Sequence, residues 1–142
     1  MKELNFSTGV VEMAVNGGRT IRFNPADVGF LENLYCLLGK IEAIGAEGKK
    51  KQDKTDDPAK LFDYAKSSEK RMRAEVDSMF GEGFCADVFQ EVRLTALADG
   101  LTVIENFAFA IVDEMDESIQ DNLTKRDGRI AKYTAKYQKY KK

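Results

Sequence analysis

The chain has 142 residues, of which 43% are hydrophobic and 32% are charged, and its formal net charge is −2. This length suits a single domain, and the composition is that of an ordinary globular protein rather than a disordered one. A charge so close to zero argues against general affinity for nucleic acid, and the absence of histidine removes the usual general base and the commonest metal ligand.

The first 24 residues predict a β-hairpin, because the β-prone runs VVEMAV and RTIRF are separated by NGG. A two-residue loop would mix polar and apolar side chains on one face. A loop of all three residues places Met13 opposite Ile21 and gives one continuous apolar face. The same register pairs Val11 with Phe23. We therefore predict the three-residue loop, with Gly18 in the left-handed conformation, and expect other elements to cover the apolar face.

A long amphipathic helix is predicted for residues 25–44. Asn24 is a typical N-cap, Pro25 suits the first helical position and Gly45 is a stop signal. The apolar residues fill an arc of about 200°, so we expect the helix to pack against the hairpin on one side and a second helix on another. The charged stretch 45–57 that follows is predicted to be a mobile loop.

Residues 58–124 are predicted to be a helical region. Asp57 caps its first helix, Pro58 begins that helix and Gly81 ends it. The middle of this helix, KSSEKRMR, is polar nearly all round, so we expect its central turns to lie in water.

Two later features of this region are candidates for binding. The short turn FCADVF presents Phe84 and Phe89, which are either core residues or part of a surface for a partner. Residues 101–112 are so apolar that we expect them to be buried on most sides. An acidic helix follows with a single apolar stripe: Met115, Ile119 and Leu123.

The last segment, 127–142, differs from the rest in charge. Residues 125–142 contain eight Lys or Arg and one acidic residue, a net charge of +7, whereas residues 1–124 have a net charge of −9. Asp127 and Gly128 predict a break before a separate short basic helix. Its candidate partner-binding residues form an aromatic stripe and an adjacent cationic stripe: Ile130, Tyr133, Tyr137 and Tyr140, and Lys132, Lys136 and Lys139.

Three interpretations of this basic segment are open. The tyrosines pack on the protein's own core while the lysines face its acidic body. Alternatively, the stripe docks on another protein, with tyrosine supplying contact area and lysine steering the encounter. In the third, aromatic and basic residues bind single-stranded nucleic acid. Because the acidic remainder would repel phosphates, we predict no nucleic-acid partner.

No catalytic, metal or cofactor site is predicted. Ser67 and Lys70 have Ser-x-x-Lys spacing, but they lie in the polar middle of a helix without companion motifs. No apolar stretch predicts a secretion signal or a membrane span. We therefore expect a cytoplasmic protein that is not an enzyme, has no small-molecule substrate and keeps Cys36 and Cys85 as free thiols.

Three stretches, LNFSTGVVEMAVNGGRTIRFNPAD, MFGEGFCADVFQEVRLTALADGLTVIENFAFAIVDEMDES and GRIAKYTAKYQKY, together resemble a group of small, largely uncharacterised phage and prophage proteins of Gram-positive bacteria. The FGEG…VF element ahead of an apolar helix is similar to that of siphophage tail assembly chaperones. The resemblance covers most of the chain outside residues 45–57 and contains no defined binding motif.

The resemblance implies a non-enzymatic protein of the bacterial host cytoplasm. Tail assembly chaperones coat the tape measure protein, help tail tube subunits to polymerise around it and then leave. Many copies would cover one long partner, so a homo-oligomer is expected. The alternative is a cytoplasmic adaptor or a minor structural phage tail protein. In fold class we expect a mostly helical α+β protein, a single domain of residues 1–142, with an N-terminal β-hairpin packed on a small bundle of about four to five helices.

Overall fold

The computed structural model describes residues 1–140. The protein is mostly helical and of the α+β class, with an N-terminal antiparallel hairpin packed on helices, which confirms the predicted fold class. The elements in chain order are β1 (Val11–Ala14), β2 (Thr20–Phe23), α1 (Val28–Gln52), α2 (Pro58–Phe80), α3 (Phe84–Val88), β3 (Leu97–Ala98), β4 (Leu101–Thr102) and α4 (Val103–Gln138).

The hairpin has the register predicted from its alternation. Met13 pairs with Ile21 and Val11 pairs with Phe23, so the apolar residues share one face. Ile21 and Phe23 are buried in the core, where the ring of Phe23 stacks on Phe30 of α1 with centroids 4.6 Å apart. The hairpin therefore buries its apolar face against the helices, as expected for a two-stranded sheet that is marginal in isolation.

The prediction of a left-handed Gly18 was wrong. The residues with positive φ are Asn16 at 50° and Gly17 at 73°. The Gly18 N–H donates to the Val15 carbonyl oxygen at 3.0 Å and closes a β-turn around these two residues. Asn-Gly favours such a turn because both residues tolerate positive φ, and the turn leaves Gly18 to complete the loop.

Helix α1 begins later than predicted. Its N-cap is Asp27, whose side chain accepts a hydrogen bond from the Gly29 N–H at 2.9 Å. The predicted cap, Asn24, instead accepts from the Ala26 N–H at 2.8 Å and forms a turn before the helix. Both residues are good acceptors for free N–H groups, so the sequence alone did not distinguish them.

The predicted loop 45–57 was wrong as far as Gln52, because α1 continues to that residue. The glycines that predicted a helix end lie at the contact with α2. A Cβ at Gly45 would lie 3.4 Å from Met72 Cε, and a Cβ at Gly48 would collide with Ser68 Oγ. Glycine here permits a close approach of two helices rather than a chain reversal.

We expect Gly48→Val to lower the free energy of unfolding by about 1–3 kcal/mol, because the added side chain would enter the packed contact between α1 and α2. Gly39→Val is the matched control, since a Cβ at Gly39 meets no atom within 4 Å. Urea denaturation of both variants measures the difference. Equal stabilities would show that the two helices do not pack closely at Gly48.

The ends of α2 are as predicted: the Asp57 side chain accepts from the Ala59 N–H at 3.0 Å, Pro58 is the first residue and Gly81 is the C-cap. The expectation that its middle turns lie in water was right for Lys66, Ser67, Lys70 and Arg71, which are exposed. It was wrong for the side that carries Glu69, Met72 and Arg73. The connector after α3 covers that part of α2, because Leu94 inserts into the core and is fully buried.

Two charged residues of α2 hold this connector. Arg73 donates to the carbonyl oxygens of Gln90 and Val92 at 2.8 and 2.7 Å, and its Nε donates to Glu69 Oε1 at 3.1 Å. Glu69 Oε1 also accepts from the Leu94 N–H at 2.8 Å. Two of the charged residues in KSSEKRMR, Glu69 and Arg73, therefore supply hydrogen-bond partners for the backbone of an irregular segment.

Helix α4 begins with a capping box, in which Thr102 and Glu105 satisfy each other's backbone N–H groups. Its first half is buried at Ile104, Ala108 and Ile111, and at Met115 one turn later. The helix then continues without interruption to Gln138, so the prediction of a separate helix in residues 127–142 was wrong. Lys141 and Lys142 lie outside the described residues.

The break did not occur because Gly128 is an exposed helix-interior glycine that meets no neighbour. Such a residue costs only about 1 kcal/mol relative to alanine. Asp127 has a regular helical backbone, and the flanking lysine, arginine and alanine residues favour helix. A single glycine is therefore a weak helix-stop signal when the helical pattern of residues continues after it.

Candidate protein-binding surface

The second half of α4 projects from the body of the protein. From Gln120 to Tyr140 every residue is exposed, whereas the first half of the same helix is buried on its inner side. At 1.5 Å per residue, the exposed part extends for roughly 30 Å. The helix therefore serves two purposes, with one half in the core and the other presented to solvent.

An apolar stripe runs along this exposed half. Its members are separated by seven, three, four and three residues, which places them on one face of the helix. Their exposure ranges from 47% for Ile130 to 82% for Tyr140, the latter just beyond the end of α4. We call this surface the docking stripe; it consists of Leu123, Ile130, Tyr133, Tyr137 and Tyr140.

The interpretation in which these tyrosines pack on the protein's own core was therefore wrong. The reason is the continuity of α4, because a helix that does not turn back at Gly128 carries its tyrosines away from the body. The predicted aromatic residues are all brought together on one face, and Leu123 extends that face towards the body.

Cationic side chains flank the docking stripe. Lys132, Lys136 and Lys139 are exposed, and no ion pair formed within residues 1–140 includes them. Lys136 Nζ lies 5.2 Å from the centre of the Tyr133 ring, within the range of a cation–π interaction. A hydrogen bond and the positive charge of Arg129 lower the pKa of Tyr133. The local field is therefore positive and favours an acidic partner.

A groove lies where the docking stripe meets the body. The α4 side of this groove is formed by Ile119, Leu123, Ile130 and Tyr133. Ala26, which precedes α1 in the chain, also lines it. Its volume is about 470 Å³. The stripe is thus not an isolated row of side chains, because its first residues adjoin a concave surface to which Lys125, Arg126 and Arg129 also contribute.

The prediction that Phe84 and Phe89 bind a partner was wrong, since both are buried. Phe84 is at the centre of an aromatic cluster, with ring centroids 5.1 Å from Phe80 and 5.5 Å from Phe107. Phe89 packs edge-to-face on Phe107 at 5.7 Å. Helix α3 turns Phe84 inwards, and Phe89 at its C-cap also points into the core, so both hold the core together instead of forming a surface.

A second apolar groove, which sequence reasoning missed, lies between β1, the end of α3 and the first half of α4. Its volume is about 570 Å³, and we call it the β1 groove. It is lined by Met13, Val15, Val88, Phe89, Phe107 and Ile111, with Ala110 and Glu114 also at its α4 wall. No local signal marks it, because its walls come from segments that are far apart in the sequence.

The described residues offer little for covalent or metal chemistry. Cys85 is buried, and burial, followed by its hydrogen bond with Asp77, raises the pKa of its thiol to about 12. Cys36 is exposed, and both cysteines are free, as expected. Within residues 1–140, no three acidic or cysteine side chains are arranged to hold a metal ion, and no helix is long and apolar enough to cross a membrane.

Comparison with known proteins gives no relative: no protein-family model, no curated protein and no solved structure matches this chain.

Proposed function

We propose that this protein binds another polypeptide reversibly and without chemistry, as a phage tail assembly chaperone-like protein in the cytoplasm of a bacterial host. Its partner is the tape measure protein, the tail tube subunits or both. The observation that carries the proposal is the docking stripe, an amphipathic helix face that no other part of residues 1–140 covers. Apolar faces of this kind are usually covered by a partner.

The shape of the docking stripe favours a helical partner. Alternating spacings of three and four residues form the seam of a two-helix contact. Arg126 occupies one position of this seam, between Leu123 and Ile130, and an acidic residue at the facing position of the partner would neutralise its charge. Acidic side chains of the partner would likewise neutralise the flanking lysines. We therefore infer that the partner segment that binds the docking stripe is an amphipathic helix with acidic residues along the edges of its apolar face.

A tape measure protein fits this description because it is long, helical and prone to aggregate when its apolar faces are exposed. The resemblance of this chain to tail assembly chaperones supports the same partner. Binding through a narrow stripe is also reversible, because the five side chains of the stripe are far fewer than the residues buried in a permanent interface.

Co-expression with the tape measure protein encoded in the same genome tests the proposal. The wild-type protein is expected to keep the tape measure protein soluble and to co-purify with it. The triple variant Ile130→Ser, Tyr133→Ser, Tyr137→Ser should weaken binding at least tenfold, because it removes most of the apolar contact area. Its melting temperature should stay close to wild type, because the three side chains are exposed.

The matched control is the triple variant Thr124→Ser, Ala131→Ser, Ala135→Ser, which introduces three serines on the opposite face of the same exposed half of α4. It should bind like wild type. If both triple variants co-purify equally well with the tape measure protein, the docking stripe is not the binding surface.

The alternative function is a cytoplasmic adaptor or a minor structural tail protein, which would use the same surface permanently. The exposed stripe is compatible with either role. Mass spectrometry of purified phage particles distinguishes them. A chaperone leaves before assembly ends, so finished particles should lack this chain, whereas a structural component would be present in a fixed number of copies.

A further inference from the structure

Residues 1–10 form an extended arm outside the packed body. They have no regular secondary structure, and all of them are exposed. Leu4 and Phe6 are 88% and 77% exposed although they are large apolar residues. They alternate with Glu3, Asn5 and Ser7, the two-residue period of a strand with one apolar face. The arm thus has the pattern of a strand, but no strand within residues 1–140 lies beside it.

The point at which the arm leaves the body is fixed by specific contacts. Asn24 Nδ2 donates to the Thr8 carbonyl oxygen at 2.9 Å, and the Gly9 N–H donates to Ser7 Oγ at 3.1 Å. Gly9 has a φ of +74°, and a Cβ there would lie only 2.7 Å from Asn24 Nδ2. Glycine is required for this bend, which directs the arm away from its own core.

The outer edge of β1 is free to accept another strand. Within residues 1–140, β1 pairs with β2 alone. The Val15 N–H donates to the Arg19 carbonyl oxygen at 2.8 Å. Because hydrogen-bonded positions alternate along an antiparallel strand, the backbone N–H and C=O groups of Glu12 and Ala14 point away from β2. The β1 groove adjoins this edge, since Met13 and Val15 belong to its lining.

We propose that the arm of one copy of this chain adds as a third strand to the free β1 edge of a second copy, with Leu4 and Phe6 in the second copy's β1 groove. Strand addition supplies backbone hydrogen bonds, and the groove accepts the alternate side chains. The arm cannot reach this edge in its own chain without reversing at residues 8–10, which Asn24 holds. The proposal does not depend on the function of the docking stripe.

The exchange is expected to be reciprocal. Stable protein interfaces bury about 1,200–2,000 Å² in total, more than a single short arm provides. Two arms exchanged around a twofold axis double the contact and leave neither arm exposed. A one-way exchange would instead leave a free arm and a free groove at the two ends of an open chain.

Sedimentation equilibrium of the full-length chain tests the exchange with one variant on each side of the contact. Phe6→Asp places a charge on the apolar face of the arm, and Ala110→Arg fills the β1 groove from an exposed position of α4. Each should raise the dissociation constant of the dimer at least tenfold. Asn5→Asp, on the opposite face of the arm, is the matched control and should leave the dimer intact.

Mixing the two variants makes the test specific. Phe6→Asp keeps an intact groove and Ala110→Arg keeps an intact arm, so one of the two arm–groove contacts is restored in an equimolar mixture. The heterodimer should therefore be weaker than the wild-type dimer but tighter than the dimer of either variant alone. Circular dichroism should show unchanged helix content for both, since both positions are exposed. A monomeric wild-type protein at 100 µM, a dimer unaffected by Phe6→Asp, or a mixture that associates no more tightly than either variant alone would each overturn the proposal.

Discussion

Phe84→Ala is expected to lower the free energy of unfolding by about 3–5 kcal/mol, the largest effect of any single substitution considered for this chain. Phe84 has an exposure of 0% and contacts the rings of Phe80, Phe89 and Phe107. The guanidinium of Arg19 lies 5.8 Å from its centre. Removing the ring leaves a cavity where α2, α3, α4 and the hairpin meet, and its stacked, tilted and edge-to-face contacts with the three other rings are lost. Urea denaturation followed by circular dichroism measures the loss.

Phe62→Ala is the matched control for this experiment. Phe62 also belongs to the helical region, on α2, but its side chain is 65% exposed. Its replacement should change the free energy of unfolding by no more than about 0.5 kcal/mol. If the two variants were equally stable, the aromatic cluster would not form the core, and Phe84 would again be a candidate for partner binding.

Arg73→Met is expected to have the second largest effect, a loss of about 2–4 kcal/mol. The variant keeps most of the apolar stem of the side chain and removes the guanidinium. The carbonyl oxygens of Gln90 and Val92 then lose their donor, and the largely buried carboxylate of Glu69 loses its counter-charge. Because Glu69 Oε2 already has no hydrogen-bond partner within residues 1–140, that carboxylate has little other compensation.

Arg71→Met provides the comparison on the same helix. Arg71 forms an ion pair with Glu47 at 3.0 Å, but both side chains are about half exposed, so water replaces the interaction readily. The melting temperature of the Arg71→Met variant should therefore stay close to that of the wild-type protein. A similar fall in both variants would mean that the connector 89–96 is not held by Arg73.

The parts of the fold that were predictable from sequence are those governed by local rules. The hairpin register followed from alternation, because a shift of one residue would have turned Met13 and Ile21 to the wrong face. The start and end of α2 followed from Asp57, Pro58 and Gly81, which act within one turn of the helix. These rules need no knowledge of what lies across the core.

Glycine was the main source of error in the predicted helix ends, because whether a glycine ends a helix depends on residues that are distant in the sequence. Gly45 and Gly48 have the sequence signature of a helix end, yet Met72 and Ser68 of α2 lie against them. Gly128 has the same sequence signature, but within residues 1–140 a Cβ at this position would have no contact within 4 Å. Only the three-dimensional contacts distinguish a packing glycine, a tolerated glycine and a helix stop.

The candidate surface was partly predictable for the same reason. The tyrosine and lysine stripes were found correctly because helical periodicity determines which residues share a face, and Tyr133 and Tyr137 do so. Periodicity does not say whether that face meets the body or water. Phe84 and Phe89 were misassigned because the neighbours of a five-residue helix determine the direction in which its residues and its C-cap point.

The central claim is that the exposed half of α4 is covered by a helical partner. Hydrogen–deuterium exchange of this protein, alone and bound to a soluble fragment of the tape measure protein, tests it most directly. In the free protein, amides of residues 120–138 should exchange faster than those of 104–115, because no packing protects them. On binding, protection should rise across 120–138. A complex in which this segment exchanges as fast as in the free protein would contradict the account.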